Sequence, residues 1–377
     1  MSGIYVHIPF CEKKCGYCDF FSVRLVKDKS VVDSFVNSIS AEIQMKSYLF
    51  KDQTIETIYF GGGTPSILPV SCIAKIYQTI ENCYTLSKNI ECTIEINPEH
   101  AVDSYFTDLK SAGFVNRLST GFQAMSDDGL RYLGRNHSVL DNYRYLDLCE
   151  KYDFSNYSAD YIFGYEILDE KEIDRSFRIL ASRGVPHISA YSLGIEENTP
   201  FMLKLQKGII RKMDDDFFLA QFRQIHYLLQ SLGYQHYEIS NYCKPGMHSR
   251  HNSNYWDFVP YLGFGPSAHS YFNNQRGWNA RGLANYNAQI QNLEQFSEKE
   301  LLSADDNYNE YIMLSFRTSR GVNIPYLKSR FNKYYSDFEK NLNRSDLIDY
   351  FAFSGDNVNL NLDGIFISDY IISEFFV

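Results

Sequence analysis

The chain has 377 residues, of which 44% are apolar, and this length suffices for one large domain and a smaller one. Its 46 acidic and 36 basic residues give a net charge of -10, and no run of Lys or Arg could neutralise a phosphate backbone, which disfavours nucleic-acid binding. No secretory signal precedes the first predicted strand and no stretch of about 18 apolar residues occurs, so we expect a cytoplasmic protein.

Short strand-like runs alternate with helical patterns through the first two-thirds of the chain. The predicted strands lie at residues 3–8, 57–60, 91–96, 115–120, 157–162 and 187–193. The predicted helices lie at about 30–43, 70–84, 103–112, 140–151, 171–183 and 214–232. Six β-α units in a row predict an α/β fold with a parallel sheet, either a partial (β/α)6 barrel or a doubly wound sheet.

The alternation stops near residue 235, which predicts a domain at 1–235 and a second at 236–377. Residues 237–286 are rich in Asn, Tyr, Gly, Pro and His without periodicity and are predicted to form an ordered loop. Helices follow near 305–316, 324–332 and 335–343, and then alternating strand-like runs at 351–354, 358–362 and 365–368. This order predicts a small α+β, winged-helix-like module, for which the acidic composition favours packing or docking over DNA binding.

Three cysteines, Cys11, Cys15 and Cys18, fall in the loop that leaves the first predicted strand. A [4Fe–4S] cluster normally takes four thiolates, so three leave one iron open to an external chelator. In the radical S-adenosylmethionine superfamily, which this motif resembles, that chelator is S-adenosylmethionine. The alternative is zinc with His7 as a fourth ligand, although Pro9 makes that closure awkward. The other five cysteines are predicted to be inert thiols.

Polar residues also follow the predicted strands at their carboxyl ends. The glycines of residues 61–63, with Thr64, follow the second strand, and their bare backbone N–H groups suit a carboxylate or a ribose. Glu95, Gln123 and Asp160 occupy the corresponding places on later strands, as do Tyr191 and Ser192. Because ligands gather at this edge of parallel β/α folds, we expect one shared site near the cysteine loop.

A third cluster combines imidazoles with large rings. It comprises His248, His251, Asn252, Tyr255 and Trp256, followed by His269. Such a density of His, Tyr and Trp indicates a site for a flat, metal-bearing ligand, and axial ligation of haem by His is the obvious chemistry. His251 is the predicted haem ligand, with His248 and His269 as alternatives.

Taken together, these motifs resemble the coproporphyrinogen dehydrogenase-related radical proteins, and specifically their HemW branch, the haem chaperones. The match runs in order from residue 3 to about 285, through Tyr-Val-His-Ile-Pro-Phe-Cys-x3-Cys-x2-Cys, Gly-Gly-Gly-Thr-Pro-Ser, Glu-Ile-Asn-Pro-Glu, Gly-Phe-Gln, Gly-Arg-x-His and His-Asn-x2-Tyr-Trp. The resemblance implies a partial (β/α)6 barrel and a cluster on the three cysteines. It also implies an S-adenosylmethionine site formed by Tyr5, Tyr17, Gly62, Gly63, Thr64, Glu95, Gln123, Arg135 and Asp160.

Two features distinguish this chain from the dehydrogenases. Their motif has a fourth cysteine where this chain has Phe20, and they carry an extension before the first strand, where this chain has two residues. The His-Asn-x2-Tyr-Trp motif belongs to the chaperone branch. One departure concerns the loop after the fifth strand, where the family commonly has Gly-Leu-Pro-Gly-Gln and this chain continues from Gly164 into Tyr165. Contacts there are expected to differ.

The resemblance therefore implies a haem chaperone that binds haem and transfers it to an acceptor, with a [4Fe–4S] cluster and an exchangeable S-adenosylmethionine. The alternative is an oxygen-independent coproporphyrinogen III dehydrogenase that forms protoporphyrinogen IX, an activity we do not expect. No catalytic residue is assigned. The implied partners are haem and a haem-accepting protein, such as a membrane-associated respiratory enzyme, and the resemblance allows a homodimer.

Overall fold

The computed structural model describes residues 2–19, 21–25, 29–197 and 199–377. In chain order the strands are β1 (Ser2–Ile8), β2 (Phe10–Cys11), β3 (Val23–Arg24), β4 (Thr54–Gly62), β5 (Thr85–Ile96), β6 (Arg117–Gln123), β7 (Tyr157–Phe163), β8 (His187–Ser192), β9 (Gln235–Glu238), β10 (Asn241–Cys243), β11 (Tyr261–Phe264), β12 (His269–Phe272), β13 (Gln275–Trp278), β14 (Glu298–Leu301), β15 (Val322–Asn323), β16 (Phe351–Ser354) and β17 (Asn357–Leu360). The α-helices are α1 (Lys29–Lys46), α2 (Val70–Cys83), α3 (Asp103–Ala112), α4 (Asp127–Leu133), α5 (Val139–Lys151), α6 (Glu170–Ser182), α7 (Pro200–Gln206), α8 (Asp215–Ser231), α9 (Arg250–Trp256), α10 (Leu283–Gln291), α11 (Ala304–Phe316), α12 (Ile324–Arg330), α13 (Tyr335–Leu342), α14 (Leu362–Phe366) and α15 (Ser368–Ser373).

The centre of the molecule is a parallel sheet in the order β1-β4-β5-β6-β7-β8. These are the six strands predicted from the sequence, and each predicted helix is present between or after them. Ile4, Val6 and Ile8 of β1 are buried on one face of the sheet, which the helices cover. Because the strand order never reverses across these six strands, the sheet is singly wound, as in a partial (β/α)6 barrel, and the doubly wound alternative is wrong.

Residues 237–286 do not form the predicted loop. β11 pairs parallel to β1, β12 to β14 continue that edge antiparallel, and β10 and β9 extend the sheet beyond β8. These strands are three or four residues long, too short to show a hydrophobic period. They form because the open edges of β1 and β8 supply backbone hydrogen-bond partners, which a sequence pattern does not reveal.

A buried polar network fastens this added edge to α1. Glu42 and Lys46 are both fully buried and form an ion pair at 2.5 Å. Glu42 also accepts hydrogen bonds from the backbone N–H of Gly265 at 2.8 Å, from Asn279 at 2.7 Å and from Tyr286 at 2.6 Å. Removing one partner would leave a buried charge without compensation, so the network fixes α1 against the later strands.

A second hydrophobic core begins at Tyr308 and ends at Phe375. It is formed by α11, α12 and α13 with a small antiparallel sheet in the order β15-β17-β16, which agrees with a winged-helix-like module. The predicted strand at 365–368 is wrong, because these residues lie in α14 and α15 and pack Ile365 and Ile367 against this core.

The two cores divide the chain later than residue 235. The main sheet continues to β14, and the core around it includes Ile290 and Phe296. The domain boundary at 235/236 stays a prediction. In packing, β9 to β14 belong to the same sheet as the parallel strands. Among the described residues, no helix is long and apolar enough to cross a membrane.

Candidate cofactor site

The carboxyl ends of the parallel strands and the cysteine loop enclose a cavity of about 240 Å³. All the residues proposed for the cluster and for S-adenosylmethionine line it: Tyr5, Cys11, Cys15, Tyr17, Cys18, Gly62, Gly63, Thr64, Glu95, Gln123, Arg135 and Asp160. They come from β1 and the loop after it, from the carboxyl-terminal halves of β4 to β7, and, for Arg135, from the segment between α4 and α5. The fold thus brings together side chains that are up to 155 positions apart, from Tyr5 to Asp160.

None of the three cysteines is in a disulfide, and all three are partly exposed and line this cavity. Thr64 donates a hydrogen bond to the sulfur of Cys11 at 3.5 Å, and Arg135 Nη1 donates to the sulfur of Cys15 at 3.2 Å. Three thiols with a nearby guanidinium suit a thiolate-bound cluster, because the cation offsets the negative charge of the ligands. The residues present therefore fit a [4Fe–4S] group.

His7 does not complete a zinc site with these cysteines. Its two ring nitrogens lie 3.1 Å from the Tyr5 hydroxyl and 3.0 Å from the backbone oxygen of Phe21. Burial lowers the pKa of His7 to about 4, so the ring is neutral and serves as an internal hydrogen-bonding group. Within the described part of the chain, no three His, Cys, Asp or Glu side chains converge as single-ion ligands.

The glycine turn is shaped by close approach. Gly62 has a φ of +111°, and a Cβ there would lie 2.6 Å from the ring of His7. A Cβ on Gly63 would lie 2.6 Å from the backbone oxygen of Phe10. Only glycine accommodates both the positive φ and the absence of space, so this turn can run directly beside the cysteine loop.

Glu95 is the buried carboxylate of the site. It accepts hydrogen bonds from the Tyr59 hydroxyl at 2.8 Å and from the backbone N–H of Gly62 at 3.1 Å. Burial raises the pKa of Glu95 to about 7, and burial likewise raises the pKa of Asp160 to about 6. Both carboxyl groups therefore change charge near neutral pH, where they could accept hydrogen bonds from the polar groups of a ligand.

Arg135 is central to the site, although its sequence position between helices suggested the surface. Its Nη2 donates to Asn97 Oδ1 at 3.3 Å and to the backbone oxygen of Gly121 at 3.4 Å, and its Nε lies 3.4 Å from His137 Nδ1. Asn97 also lines the cavity and was not singled out by the sequence. Its place directly after a strand was the available signal, but Pro98 made it resemble an ordinary turn residue.

Two further predicted residues line this cavity and a larger neighbouring one. Gln123 has a φ of +64°, uncommon for a residue other than glycine, and Tyr17 packs edge-on against Phe201.

The loop after β7 buries Tyr165 in a stack on Tyr132, with ring centres 5.2 Å apart. Asp160 nevertheless faces the cavity, so the departure from the family pattern at this loop leaves its position intact. Phe20 lies outside the described residues.

The His-Asn-x2-Tyr-Trp motif forms the short helix α9 rather than a loop. Ser249 caps it, and the carboxylate of Glu91 accepts the backbone N–H groups of His251 at 2.9 Å and Arg250 at 3.2 Å. This capping anchors α9 to β5. It explains why a segment without periodicity adopts a defined helical structure.

The imidazole of His251 is buried, with 2% of the residue exposed. Its Nδ1 lies 2.9 Å from the Thr57 hydroxyl and its Nε2 lies 2.9 Å from the Tyr255 hydroxyl. Burial lowers the pKa of His251 to about 3. His248 and His269 are exposed, and His269 stacks on Trp278 with ring centres 5.7 Å apart. In this conformation both ring nitrogens of His251 are engaged, and its role as a haem ligand stays a prediction.

Comparison with known proteins places this site in a family. The model of the Radical SAM superfamily matches residues 5–180. Proteins named Heme chaperone HemW are similar over most of the chain: that of Mycobacterium tuberculosis is 30% identical and the match covers 85% of this chain and 82% of the relative. Those of Lactococcus lactis and Bacillus subtilis are each 31% identical, with coverages of 90% and 86%, and of 89% and 87%. The chain belongs to the HemW family.

This chain also shares its fold with a solved radical SAM enzyme. The solved structure of the Escherichia coli protein described as coproporphyrinogen III oxidase (HemN), a radical SAM enzyme, has a TM-score of 0.85 to this chain at 18% identity. That match covers 100% of this chain and 90% of the solved one. The resemblance drawn from the sequence motifs is confirmed, and so is the radical S-adenosylmethionine α/β fold.

Proposed function

We propose that this protein is a haem chaperone, which binds haem and transfers it to an acceptor protein. The observation that carries the proposal is similarity to the HemW chaperones over 85 to 90% of the chain, combined with a cavity that collects all twelve proposed cluster and cofactor residues. The acceptor is proposed to be a haem protein, with a membrane-associated respiratory enzyme as the example that the family suggests.

We further propose that Cys11, Cys15 and Cys18 hold a [4Fe–4S] cluster and that an exchangeable S-adenosylmethionine occupies the rest of the cavity. A bound cluster would supply one iron without a protein ligand, to which the amino and carboxylate groups of S-adenosylmethionine can bind. Gly62 and Gly63 present backbone to the cavity, and Glu95 and Asp160 offer carboxylate oxygens there. Arg135 contributes a fixed positive charge beside Cys15.

His251 remains the proposed haem ligand. A ligating imidazole needs a free nitrogen lone pair, so binding iron at Nε2 would require the Tyr255 hydroxyl to leave its present position. His248 and His269 need no such rearrangement because they are exposed. Substitution of each histidine in turn distinguishes the three.

The second candidate function is the oxidative decarboxylation of coproporphyrinogen III. The shared fold with the HemN structure favours it, since that protein is described as an oxidase of this substrate and a radical SAM enzyme. The sequence speaks against it, because Phe20 stands where the dehydrogenases have a further cysteine.

Two parallel assays test the proposal. Titration of anaerobically reconstituted protein with ferric haem should produce a Soret band that saturates at a defined stoichiometry. Incubation with coproporphyrinogen III, S-adenosylmethionine and a reductant should yield no protoporphyrinogen IX. Turnover without haem binding would establish the second function in place of the first. Mixing haem-loaded protein with an apo form of a candidate respiratory enzyme would then measure transfer.

A further inference from the structure

A second and larger cavity, of about 580 Å³, occupies the interior of the barrel beside the cofactor site. This volume lies within the range of roughly 300–1,000 Å³ usual for small-molecule pockets. The two cavities share Tyr17, Cys18, Glu95, Gln123 and Asp160, so a ligand in the larger one would lie next to the cofactor. The other residues that line the larger cavity are not among those that the sequence resemblance implies for the cluster or for S-adenosylmethionine.

Arg117 lies at the end of this cavity farthest along the strands from the cysteine loop. It is the first residue of β6, whereas Gln123, on the cysteine side, is the last. Arg117 is 1% exposed and is among the largest fully buried side chains of the described chain. Its Nε has no hydrogen-bond partner, and we find no ion pair for its guanidinium among the described residues.

Burying an arginine in this state is unfavourable to the free energy of folding. A guanidinium stays protonated in proteins and carries five N–H donors, so burial of its Nε–H without an acceptor loses hydration with no compensating hydrogen bond. Asp160 lies near enough for its pKa to respond to Arg117, but the two groups form no ion pair. Either solvent or a ligand must therefore supply the missing acceptors within the cavity.

The surroundings of Arg117 contain further unused polar atoms. Thr93, its register partner on β5, has a buried hydroxyl, and His187 on β8 has a buried Nδ1; in the part of the chain that the structure describes, neither atom has a hydrogen-bond partner. His187 Nε2 lies 2.8 Å from the Tyr237 hydroxyl. The walls above include Tyr59, Tyr191, Ile162 and Leu193, which offer aromatic and apolar surface. The cavity therefore combines a buried positive charge at one end with aromatic and apolar walls suited to a flat organic ligand.

We propose that Arg117 binds a carboxylate of a small, flat organic ligand that occupies the barrel cavity. The planar guanidinium matches a carboxylate in a two-pronged geometry that a lysine cannot reproduce. The carboxylate could be the propionate of a tetrapyrrole, an assignment that rests on the proposed function, or it could belong to another aromatic acid. In both cases Arg117 fixes the acidic end of the ligand and leaves its body beside the cofactor site.

The test measures equilibrium binding to the full-length protein by calorimetry and by porphyrin fluorescence. One arm compares iron-free protoporphyrin IX with its dimethyl ester, and the other compares 2-naphthoate with 2-naphthamide. Each acid is titrated into wild type, Arg117→Gln and Arg117→Lys. Arg178→Gln is the matched control, since Arg178 forms an exposed ion pair with Asp174 on α6. Circular dichroism and cluster content report whether each variant folds.

We expect at least one acid to bind wild type at least about tenfold more tightly than its uncharged counterpart, because a charged hydrogen-bonded pair is lost in the latter. Arg117→Gln should reduce the affinity for that acid by a similar factor and Arg117→Lys by a smaller one. Arg178→Gln should leave the affinity unchanged. If Arg117→Gln fails to fold, two measurements test the proposal instead: the preference of wild type for the acid over its uncharged counterpart, and the affinity of Arg117→Lys for the acid.

The outcomes separate this inference from the proposed function. If neither acid is preferred over its neutral counterpart, or if folded Arg117 variants bind both acids as wild type does, the carboxylate site is overturned even when ferric haem binds. If 2-naphthoate binds through Arg117 and neither haem nor protoporphyrin binds, the site stands and the haem function fails. Preference for protoporphyrin IX lost with Arg117 would identify the tetrapyrrole as the source of the carboxylate.

Discussion

The imidazole of His251 stacks on the phenol ring of Tyr59, with ring centres 5.1 Å apart and planes inclined by 29°. The hydroxyl of the same tyrosine donates to Glu95, which in turn accepts the backbone N–H of Gly62. A single side chain thus contacts both the His-Asn-x2-Tyr-Trp helix and the cofactor cavity. The two motifs, distant in sequence, are neighbours in the fold, and substitutions can separate their contributions.

Tyr59→Phe should weaken S-adenosylmethionine binding while haem binding is retained. The variant keeps the ring that stacks on His251 but removes the donor to Glu95, leaving a buried carboxylate oxygen less satisfied. We expect a loss of roughly three- to tenfold in cofactor affinity, measured with reconstituted protein. Tyr77→Phe is the control, because Tyr77 stacks on Phe114 away from the cavity. Unchanged cofactor affinity would show that Tyr59 does not organise Glu95.

Cys15→Ser should abolish the cluster. Anaerobically reconstituted wild type is expected to hold about four irons per chain with broad visible absorbance, and loss of one of three thiolates removes a required ligand. Cys83→Ser should retain the iron, because Cys83 is a partly buried thiol at the end of α2. Iron analysis and visible absorbance measure the cluster content of both variants. Stoichiometric zinc with no iron uptake in wild type would contradict the cluster assignment.

His251→Ala should weaken haem binding and alter the Soret band while leaving the iron content of the cluster intact. The cluster ligands lie elsewhere in the chain, and the helix cap on Glu91 uses the backbone of residue 251 rather than its side chain. His248→Ala and His269→Ala are the matched comparisons, since both rings are exposed. A haem spectrum unchanged in His251→Ala and altered in His269→Ala would transfer the ligand role to His269. Loss of the cluster as well would show that the ring is structural.

The apoprotein should lose stability as the pH rises toward neutrality, through Glu95. Its folded pKa is raised from 4.5 to about 7 by burial, so the folded state holds a proton that the unfolded state has released between these values. This contribution is fully present below pH 4.5 and is lost as the pH passes about 7. Its upper limit is roughly 3 kcal/mol, reduced where the buried site admits water.

Glu95→Gln provides the measurement. The amide does not titrate, so the unfolding free energy of the variant relative to wild type should increase between about pH 4.5 and pH 7 and then level off. Denaturant unfolding at several pH values gives this difference. An exposed carboxylate, as in Glu170→Gln at the start of α6, should show no such trend. A difference that is flat or falls with pH would mean that Glu95 is ionised in the folded protein throughout.

Much of the fold could be predicted because its signals are local. The six parallel strands alternate with amphipathic helices, and each strand has six to twelve residues, long enough to show its pattern. β9 to β14 gave no such signal, because each is a short segment stabilised by pairing with an existing edge. The segment at 365–368 alternates like a strand but is helical, since Ile365 and Ile367 are buried against the second core.

The candidate site likewise contains residues that the sequence could predict and residues that it could not. Cys11, Cys15 and Cys18 are close in sequence, and Gly62, Glu95, Gln123 and Asp160 lie in the carboxyl-terminal halves of strands. Spacing and the rule that ligands gather at this edge therefore sufficed to propose them. Arg135 was proposed only through the family resemblance, and the position of Asn97 after a strand was too weak a signal beside Pro98. Their roles depend on which loops meet above the sheet, and that is a matter of long-range packing.

The sequence by itself therefore determined the class of fold, the three thiols proposed for the cluster and the family, because each depends on residues within one short segment or on an ordered set of such segments. Only the tertiary structure decided that His251 is buried against Tyr59 and that Arg117 Nε has no hydrogen-bond partner among the described residues. Burial and hydrogen-bond partnership are properties of what surrounds a side chain, and for both residues those neighbours come from distant strands. The pKa values of Glu95 and Asp160, raised by desolvation, were decided by the structure for the same reason.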